Sequence, residues 1–286
     1  MSLHTIRRLG RRLGRRLGRR LGLLILANAI VTSLSSAQST AAYAPGKLRY
    51  HVTTVSTRAQ PLGGGRAPFD FTTTTNQWIA LEVAPQSSDT LKLAMTVDSI
   101  RVTSTLDAPA PDIAVLQGAK FTGTMSPRGR VYALAPTAGS ADGKLSATAT
   151  ALKRFLLLLP PRSLAAGTSW ADTVVEHPNV GTLKITSSSV TTYKVAGDTT
   201  VSGQHAWRID RYTTIAQLGK GTEAGQPLEI SSSGTVTGMQ FFTDKGVLLG
   251  GQSTQRTDLQ EKMNESEGAP IQQTFKSTVE LLPSGS

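Results

Sequence analysis

The chain has 286 residues, 5% of them aromatic, no cysteine, and a formal net charge of +11. The missing cysteine excludes disulfides and a lipid-modified amino-terminal cysteine, and a chain of this length can bury a stable core without such cross-links. The low aromatic content argues against a carbohydrate-binding platform or a groove for single-stranded nucleic acid, because both use aromatic faces.

Residues 1–37 have the order of features that is typical of an export signal. A basic stretch, Arg7–Gly22, precedes an apolar run, Leu23–Leu34, and small residues follow up to Ala37. The apolar run has 12 residues, whereas a membrane-spanning helix needs about 20. We therefore predict an exported protein, periplasmic or extracellular in a bacterium, that is cleaved after Ala37 and keeps no stable membrane anchor. The general and the twin-arginine export routes both stay open.

The high net charge belongs to this leader. The tetrapeptide Arg-Arg-Leu-Gly occurs four times and holds eight of the 30 basic residues, which leaves 22 basic against 19 acidic residues in the rest of the chain. A balance this close to neutral does not predict a nucleic-acid partner.

The region 47–286 alternates apolar and polar residues with a period of two, which is the pattern of half-buried strands. We predict a mainly β fold, either a large curved antiparallel sheet or two packed β halves. It forms a single domain at 47–286, or two half-domains, 47–141 and 167–286, joined by a helix. A small, polar stretch at 38–46 predicts a disordered linker.

Two short segments predict turns between these strands. Ser126–Gly129 places proline at the second turn position and glycine at the fourth, which favours a hairpin between Lys120–Met125 and Arg130–Leu134. Gly197-Asp198 predicts a second turn.

One segment, 142–159, predicts a central amphipathic helix that covers the sheet. Its apolar residues recur at steps of three and four, so they form one stripe of the helix surface. Pro160 and Pro161 end it, because proline has no amide hydrogen and restricts the residue before it. This stripe consists of Leu145, Ala149, Leu152, Phe155, Leu156 and Leu159.

No motif for catalysis, metal binding or a cofactor is present, so we predict a non-enzymatic protein. The histidines His51, His177 and His205 are not spaced to share a metal. No Gly-x-Ser-x-Gly or Ser-x-x-Lys motif supports a serine nucleophile, although a catalytic site dispersed over several strands stays open.

The segment Leu159–Trp170, a proline-ended helix followed by a Gly-x-x-Trp step, resembles the central motif of a family of uncharacterised secreted β-rich bacterial proteins. The resemblance covers about Leu48–Leu282 and implies a β-rich fold with no assigned activity. This chain has Thr168 where many members carry an acidic residue. A looser similarity links the fold to lipoprotein carriers of the bacterial envelope, which implies shelter for acyl chains.

These patterns lead to a candidate ligand site between the sheet and the helix. An apolar or lipid-like ligand would contact Leu152, Phe155, Leu156 and Trp170, and an anionic head group would face Lys153 and Arg154. The alternative is that the sheet covers the apolar helix completely and leaves no cleft.

A second hypothesis concerns the carboxy-terminal strands, about Val247–Met263 and Ile271–Leu282. They carry few strongly apolar residues, which favours an exposed or edge hairpin. A structural or protein-interaction module would use this hairpin as an edge to bind an envelope protein.

Overall fold

The computed structural model describes residues 40–62, 66–105, 113–137, 143–177, 179–180, 182–223, 225–264, 266–268 and 270–283. The predicted export signal and its cleavage after Ala37 lie outside the described residues. No helix in the described ranges has the length and apolar character needed to cross a membrane.

The described chain consists mainly of β-strands with one α-helix, α1 (Gly143–Lys153), and a short 3₁₀ helix, Ala114–Leu116. The strands are β1 (Gly46–Leu62), β2 (Arg66–Pro85), β3 (Leu91–Ser104), β4 (Lys120–Met125), β5 (Val131–Pro136), β6 (Ser169–Glu176), β7 (Asn179–Val180), β8 (Leu183–Val201), β9 (Gln204–Glu223), β10 (Gln226–Phe242), β11 (Leu248–Met263), β12 (Ser266–Glu267) and β13 (Ile271–Leu281).

These strands form one antiparallel sheet in the order β5-β4-β3-β2-β1-β13-β11-β10-β9-β8-β6, with β7 added to β8 and β12 to β11. The sheet is not closed, so β5 and β6 are its end strands. This confirms the mainly β prediction in its form of one large antiparallel sheet. The pairing of β1 with β13 joins the strands that precede the helix to those that follow it.

One face of the sheet carries the hydrophobic core, and we call it the inner face. Tyr50, Ile79 and Ile209 lie on it and are almost completely buried, and α1 contributes Leu145 and Leu152 to the same core. Each large apolar side chain that is fully buried stabilises the fold by about 1.5–3 kcal/mol.

Farther along the strands the inner face becomes polar. Hydroxyl pairs span neighbouring strands there, between Thr54 and Ser277 at 3.1 Å and between Thr191 and Thr213 at 2.9 Å. Thr213 is buried, and such a buried hydroxyl is tolerated because it finds a hydrogen-bond partner.

The helix is shorter than the sequence predicted, since α1 ends at Lys153 and not at Leu159. After a turn at Arg154 and Phe155, the segment Leu156–Pro160, which we call the leucine segment, lies outside any helix or strand, and every residue in it is buried. A continued helix would turn part of this run of leucines away from the core. Leaving the helix instead allows the core to cover all of them.

The segment Leu156–Pro160 has its backbone polar groups paired one by one. Leu159 donates its N–H to the carbonyl of Arg128 at 2.8 Å and accepts a hydrogen bond from Arg128 Nε at 2.9 Å. The Tyr43 hydroxyl accepts from the Leu157 N–H at 2.8 Å and donates to the Leu157 carbonyl at 3.0 Å. These bonds replace those that a longer helix would have made.

Residues 40–45, which the sequence assigned to a disordered linker, make defined contacts. Tyr43 is buried, and its ring lies 5.0 Å from that of Phe242 in an edge-to-face arrangement. Tyr43 donates its N–H to the Pro127 carbonyl, and Ala44 donates to that of Gly246. The small residues here fit between the hairpin turns that contain Pro127 and Gly246. The composition alone did not reveal this packing.

The turn predicted at Ser126–Gly129 is confirmed. Ser126 donates its N–H to the Arg130 carbonyl at 2.8 Å, and Gly129 has φ +92°. A Cβ atom on Gly129 would approach the Leu157 carbonyl oxygen to 2.4 Å, so this glycine also permits close packing of the turn against the leucine segment.

The turn predicted at Gly197-Asp198 is wrong. β8 continues through both residues with a register shift between Val195 and Gly197, and the chain reverses at Ser202 and Gly203, which have φ of 49° and 76°. Glycine in a strand often marks a bulge.

The carboxy-terminal hairpin is not an edge, contrary to the sequence-based hypothesis. β13 lies between β1 and β11, and β11 lies between β13 and β10. Strongly apolar residues are scarce in these strands because they contribute to the polar part of the inner face, with Ser253 paired opposite Ser277. The binding mode that relied on this hairpin as an edge is therefore excluded.

We expect Tyr43→Phe to lower the free energy of unfolding by about 1–3 kcal/mol, because both backbone groups of Leu157 would lose their buried partner. Urea unfolding of the purified protein measures this loss. The matched variant Tyr132→Phe alters an exposed tyrosine and should have little effect. Equal stability of the two variants would contradict the role assigned to Tyr43.

Candidate functional site

The apolar residues predicted to line a cleft lie mostly in the core. Leu152 and Leu156 are buried members of the main hydrophobic cluster. Phe155 is half-buried and packs edge-to-face on Tyr50, with ring centroids 5.1 Å apart. The structure therefore places Leu152 and Leu156 in the core and Phe155 against it.

The two predicted cationic residues have different surroundings. Arg154 forms an ion pair with Glu176 on β6, so its charge is already balanced within the chain. Lys153 is the last residue of α1 and is half-buried. Neither residue is among those that line the pockets described below.

Trp170 is the predicted site residue that does border a pocket. It lies on β6, donates its indole N–H to the Leu158 carbonyl at 2.9 Å, and stacks on Tyr193 of β8. The two rings are nearly parallel, at 11°, with centroids 5.1 Å apart. The backbone register places Trp170 directly opposite Tyr193, which explains the stacking.

The next strand extends this pair into a row of three side chains. Arg211 of β9 lies directly opposite Tyr193, so Trp170, Tyr193 and Arg211 follow one another across β6, β8 and β9 on the inner face. We call this set the Trp170–Tyr193–Arg211 row. Its backbone forms the floor of a pocket of about 610 Å³ on the opposite, outer face of the sheet. The walls of this pocket are the side chains of Ser169, Lys194 and Asp210 on one side and of Ala171, Thr192 and Tyr212 on the other.

The site prediction missed two members of the row, Tyr193 and Arg211. The Arg211 side chain is half-buried, and its Nε is shielded from solvent without a hydrogen-bond partner among the described residues. Burial lowers the pKa of the Arg211 guanidinium, and the neighbouring Tyr193 opposes this shift. A guanidinium still remains charged at neutral pH.

The carboxylates near Arg211 are engaged elsewhere. Asp172 of β6 pairs with Arg130. Asp210 accepts a hydrogen bond from Arg208 Nε at 2.8 Å. No ion pair of the described residues therefore balances the charge of Arg211.

Tyr193 is neutral near pH 7. Burial raises the pKa of its phenol above the ordinary value of 10.0; Arg211 lowers it and Asp172 raises it. The row thus combines an aromatic surface with one positive charge, a combination that suits an apolar ligand bearing an acidic group.

A second pocket of about 330 Å³ also lies on the outer face, between the side chains of Ala216, Ser233 and Asp258 and those of Leu218, Ser231 and Gln260. It contains no buried cation. In the described ranges, no group of three or more histidine and acidic side chains is arranged to hold a metal ion.

No known protein family matches the chain, and no curated protein sequence matches it significantly. The resemblance to uncharacterised secreted proteins therefore stays a prediction. Weak structural similarity links the chain to outer membrane proteins, all at 11% identity or less.

Three solved structures illustrate this similarity. An outer membrane channel from Pseudomonas putida F1 has 11% identity and a TM-score of 0.22, with 85% of this chain and 98% of that one covered. An engineered protein studied for asymmetric conductivity has 8% identity and a TM-score of 0.22, with 84% and 100% covered. A loop-deletion mutant of an outer membrane protein of Vibrio cholerae has 8% identity and a TM-score of 0.24, with 84% and 100% covered. TM-scores this low support no inference about function.

The raised pKa of Tyr193 predicts how stability depends on alkaline pH. The folded protein holds the phenol proton more tightly than the unfolded chain, so this contribution is complete below pH 10.0 and is lost as pH rises above that value. Urea unfolding at about pH 8 and about pH 11 measures the loss. Tyr193→Phe should show a smaller decrease, and a decrease as steep as that of the unaltered protein would contradict the assignment.

Proposed function

We propose that this protein is a non-enzymatic, exported binding module of the bacterial envelope that takes up an apolar or lipid-like ligand. The stacked pair of Trp170 and Tyr193 on the inner face carries this proposal. The two rings are half-buried, and they extend the apolar surface of the core across β6 and β8, since both pack against that core.

An aromatic surface at the border of the core suits such a ligand, because small-molecule sites in proteins are lined mainly by apolar and aromatic side chains with few polar groups. The apolar contact that the sequence assigned to Leu152 and Leu156 would then be made by Trp170 and Tyr193, while the leucines support these rings from the core.

Export by residues 1–37 and cleavage after Ala37 form part of the proposal. A protein that acts in the envelope has to cross the inner membrane, and the basic-apolar-small order of the leader is suited to that step. The protein recovered from the periplasm of an expressing bacterium should then have the mass of Gln38–Ser286.

Binding of the neutral apolar dye N-phenyl-1-naphthylamine to this recovered protein tests the proposed site. We expect saturable binding, and Trp170→Ala should weaken it about tenfold, because loss of contact with about 60 Å² of apolar surface costs about 1.5 kcal/mol. Dye fluorescence measures the affinity, and circular dichroism verifies that the sheet is retained.

Trp207→Ala is the matched control. Trp207 also packs against the core, but its indole N–H is bonded to Asp244 and its ring is not part of the stacked pair. Its replacement should leave dye affinity unchanged. Absence of dye binding, or equal weakening by both variants, would overturn the proposed function.

A further inference from the structure

We infer that the apolar ligand reaches the stacked rings of Trp170 and Tyr193 through the free edge of β6. Two ion pairs hold this route closed, and they are formed by Arg130 with Asp172 and by Arg154 with Glu176. The inference rests on the proposed function and adds how access to that site is controlled.

The first observation is that one edge of β6 has no strand beside it, since β6 pairs with β8 on its other side. The Thr168 carbonyl, next to β6, accepts a hydrogen bond from the Val195 N–H at 2.9 Å. In an antiparallel pair, every second residue bonds to the partner strand. The backbone groups of Ala171, Thr173 and Val175 therefore face the free edge, and all three residues are exposed.

The second observation is that side chains join this edge to the other end of the sheet. Arg130 directly precedes β5, the opposite end strand, and Arg154 follows α1. We define the β6 seam as three contacts, which are the ion pairs Arg130–Asp172 and Arg154–Glu176 and the hydrogen bond from the Trp170 indole N–H to the Leu158 carbonyl.

The third observation is that few bonds oppose opening of the seam. Neighbouring strands such as β8 and β9 share a long ladder of backbone pairs, whereas the β6 seam has two ion pairs with exposed arginines and one hydrogen bond. Ion pairs with exposed partners stabilise a fold only weakly. Local openings occur where few buried contacts and hydrogen bonds oppose them, so β6 can separate from the leucine segment at low cost.

The fourth observation is that the stacked rings lie next to the seam. Trp170 is itself a seam residue, and Tyr193 lies opposite it on β8. Both rings pack against the core, and the two pockets described above lie on the outer face. A ligand therefore has to displace part of the packing around the rings. Opening of the seam uncovers Trp170 on the side of the leucine segment.

A covalent link across the seam tests the inference. The chain has no cysteine, so Arg154→Cys together with Glu176→Cys supplies its only two thiols, and a short bismaleimide spans the distance that the two side chains bridge. We expect this link to slow both uptake and release of N-phenyl-1-naphthylamine at least about tenfold. The affinity should change little, because the link restricts the route and not the site. Stopped-flow fluorescence measures both rates.

Two controls separate a closed route from other effects of the reagent. N-ethylmaleimide modifies the same two cysteines without joining them, and it should not slow uptake. The pair Lys220→Cys and Glu229→Cys replaces an exposed ion pair between β9 and β10, away from the seam. A link between these two positions should leave both rates unchanged.

Removal of either ion pair should have the opposite effect. Asp172→Asn and Glu176→Gln retain the size of the side chain and remove its charge. We expect each variant to speed uptake and release by up to about fivefold, which is the range for an exposed ion pair. Glu229→Gln removes the ion pair with Lys220 and should leave the rates unchanged. Circular dichroism verifies that each variant is folded.

The outcomes separate this inference from the proposed function. Saturable dye binding with unchanged rates in the linked protein would overturn the seam as the route and leave the ring site intact. Equal slowing by N-ethylmaleimide, or by the link between β9 and β10, would overturn it as well. Absence of dye binding to the unaltered protein would overturn both the site and the route.

Discussion

The buried segment Leu156–Pro160 is the constraint on which the rest of the structure depends. It lies between the two ends of an open sheet, bonded to Arg128 in the turn between β4 and β5 and to Trp170 on the end strand β6. A buried backbone polar group without a hydrogen-bond partner would cost about 1–3 kcal/mol. Each of these bonds therefore also fixes the position of the segment relative to the residue that it bonds. The amino-terminal Tyr43 completes the arrangement by pairing both polar groups of Leu157.

The Trp170–Tyr193–Arg211 row follows from the same constraint. Because the Leu158 carbonyl accepts the indole N–H, the ring of Trp170 has one orientation and can stack on Tyr193. Strand register then places Arg211 at the end of the row. The leucine segment thus orients the aromatic pair through its hydrogen bond to Trp170, and β9 contributes the positive charge of Arg211.

Much of the fold was predictable because strands and helices have different periods. Alternation of apolar residues indicated the sheet, and the stripe of Leu145, Ala149 and Leu152 indicated the helix. The end of the helix was not predictable from the prolines alone, since the pairing of Leu157 with Tyr43 depends on residues 114 positions apart. The central place of β13 likewise depends on pairing with β1, at the opposite end of the described chain. For the site, Trp170 was recognised from its motif. Arg211 was visible as a cation alternating with Ile209, but its lack of a partner is a property of the folded sheet.

The central claim is that the stacked rings of Trp170 and Tyr193 contact an apolar ligand. The most direct measurement follows the indole N–H signals by NMR in ¹⁵N-labelled protein while N-phenyl-1-naphthylamine is added. The signal that is missing from Trp170→Ala should shift on saturation, while the signal of Trp207, whose indole N–H is bonded to Asp244, stays in place. A saturated complex in which the Trp170 signal does not move would contradict the account.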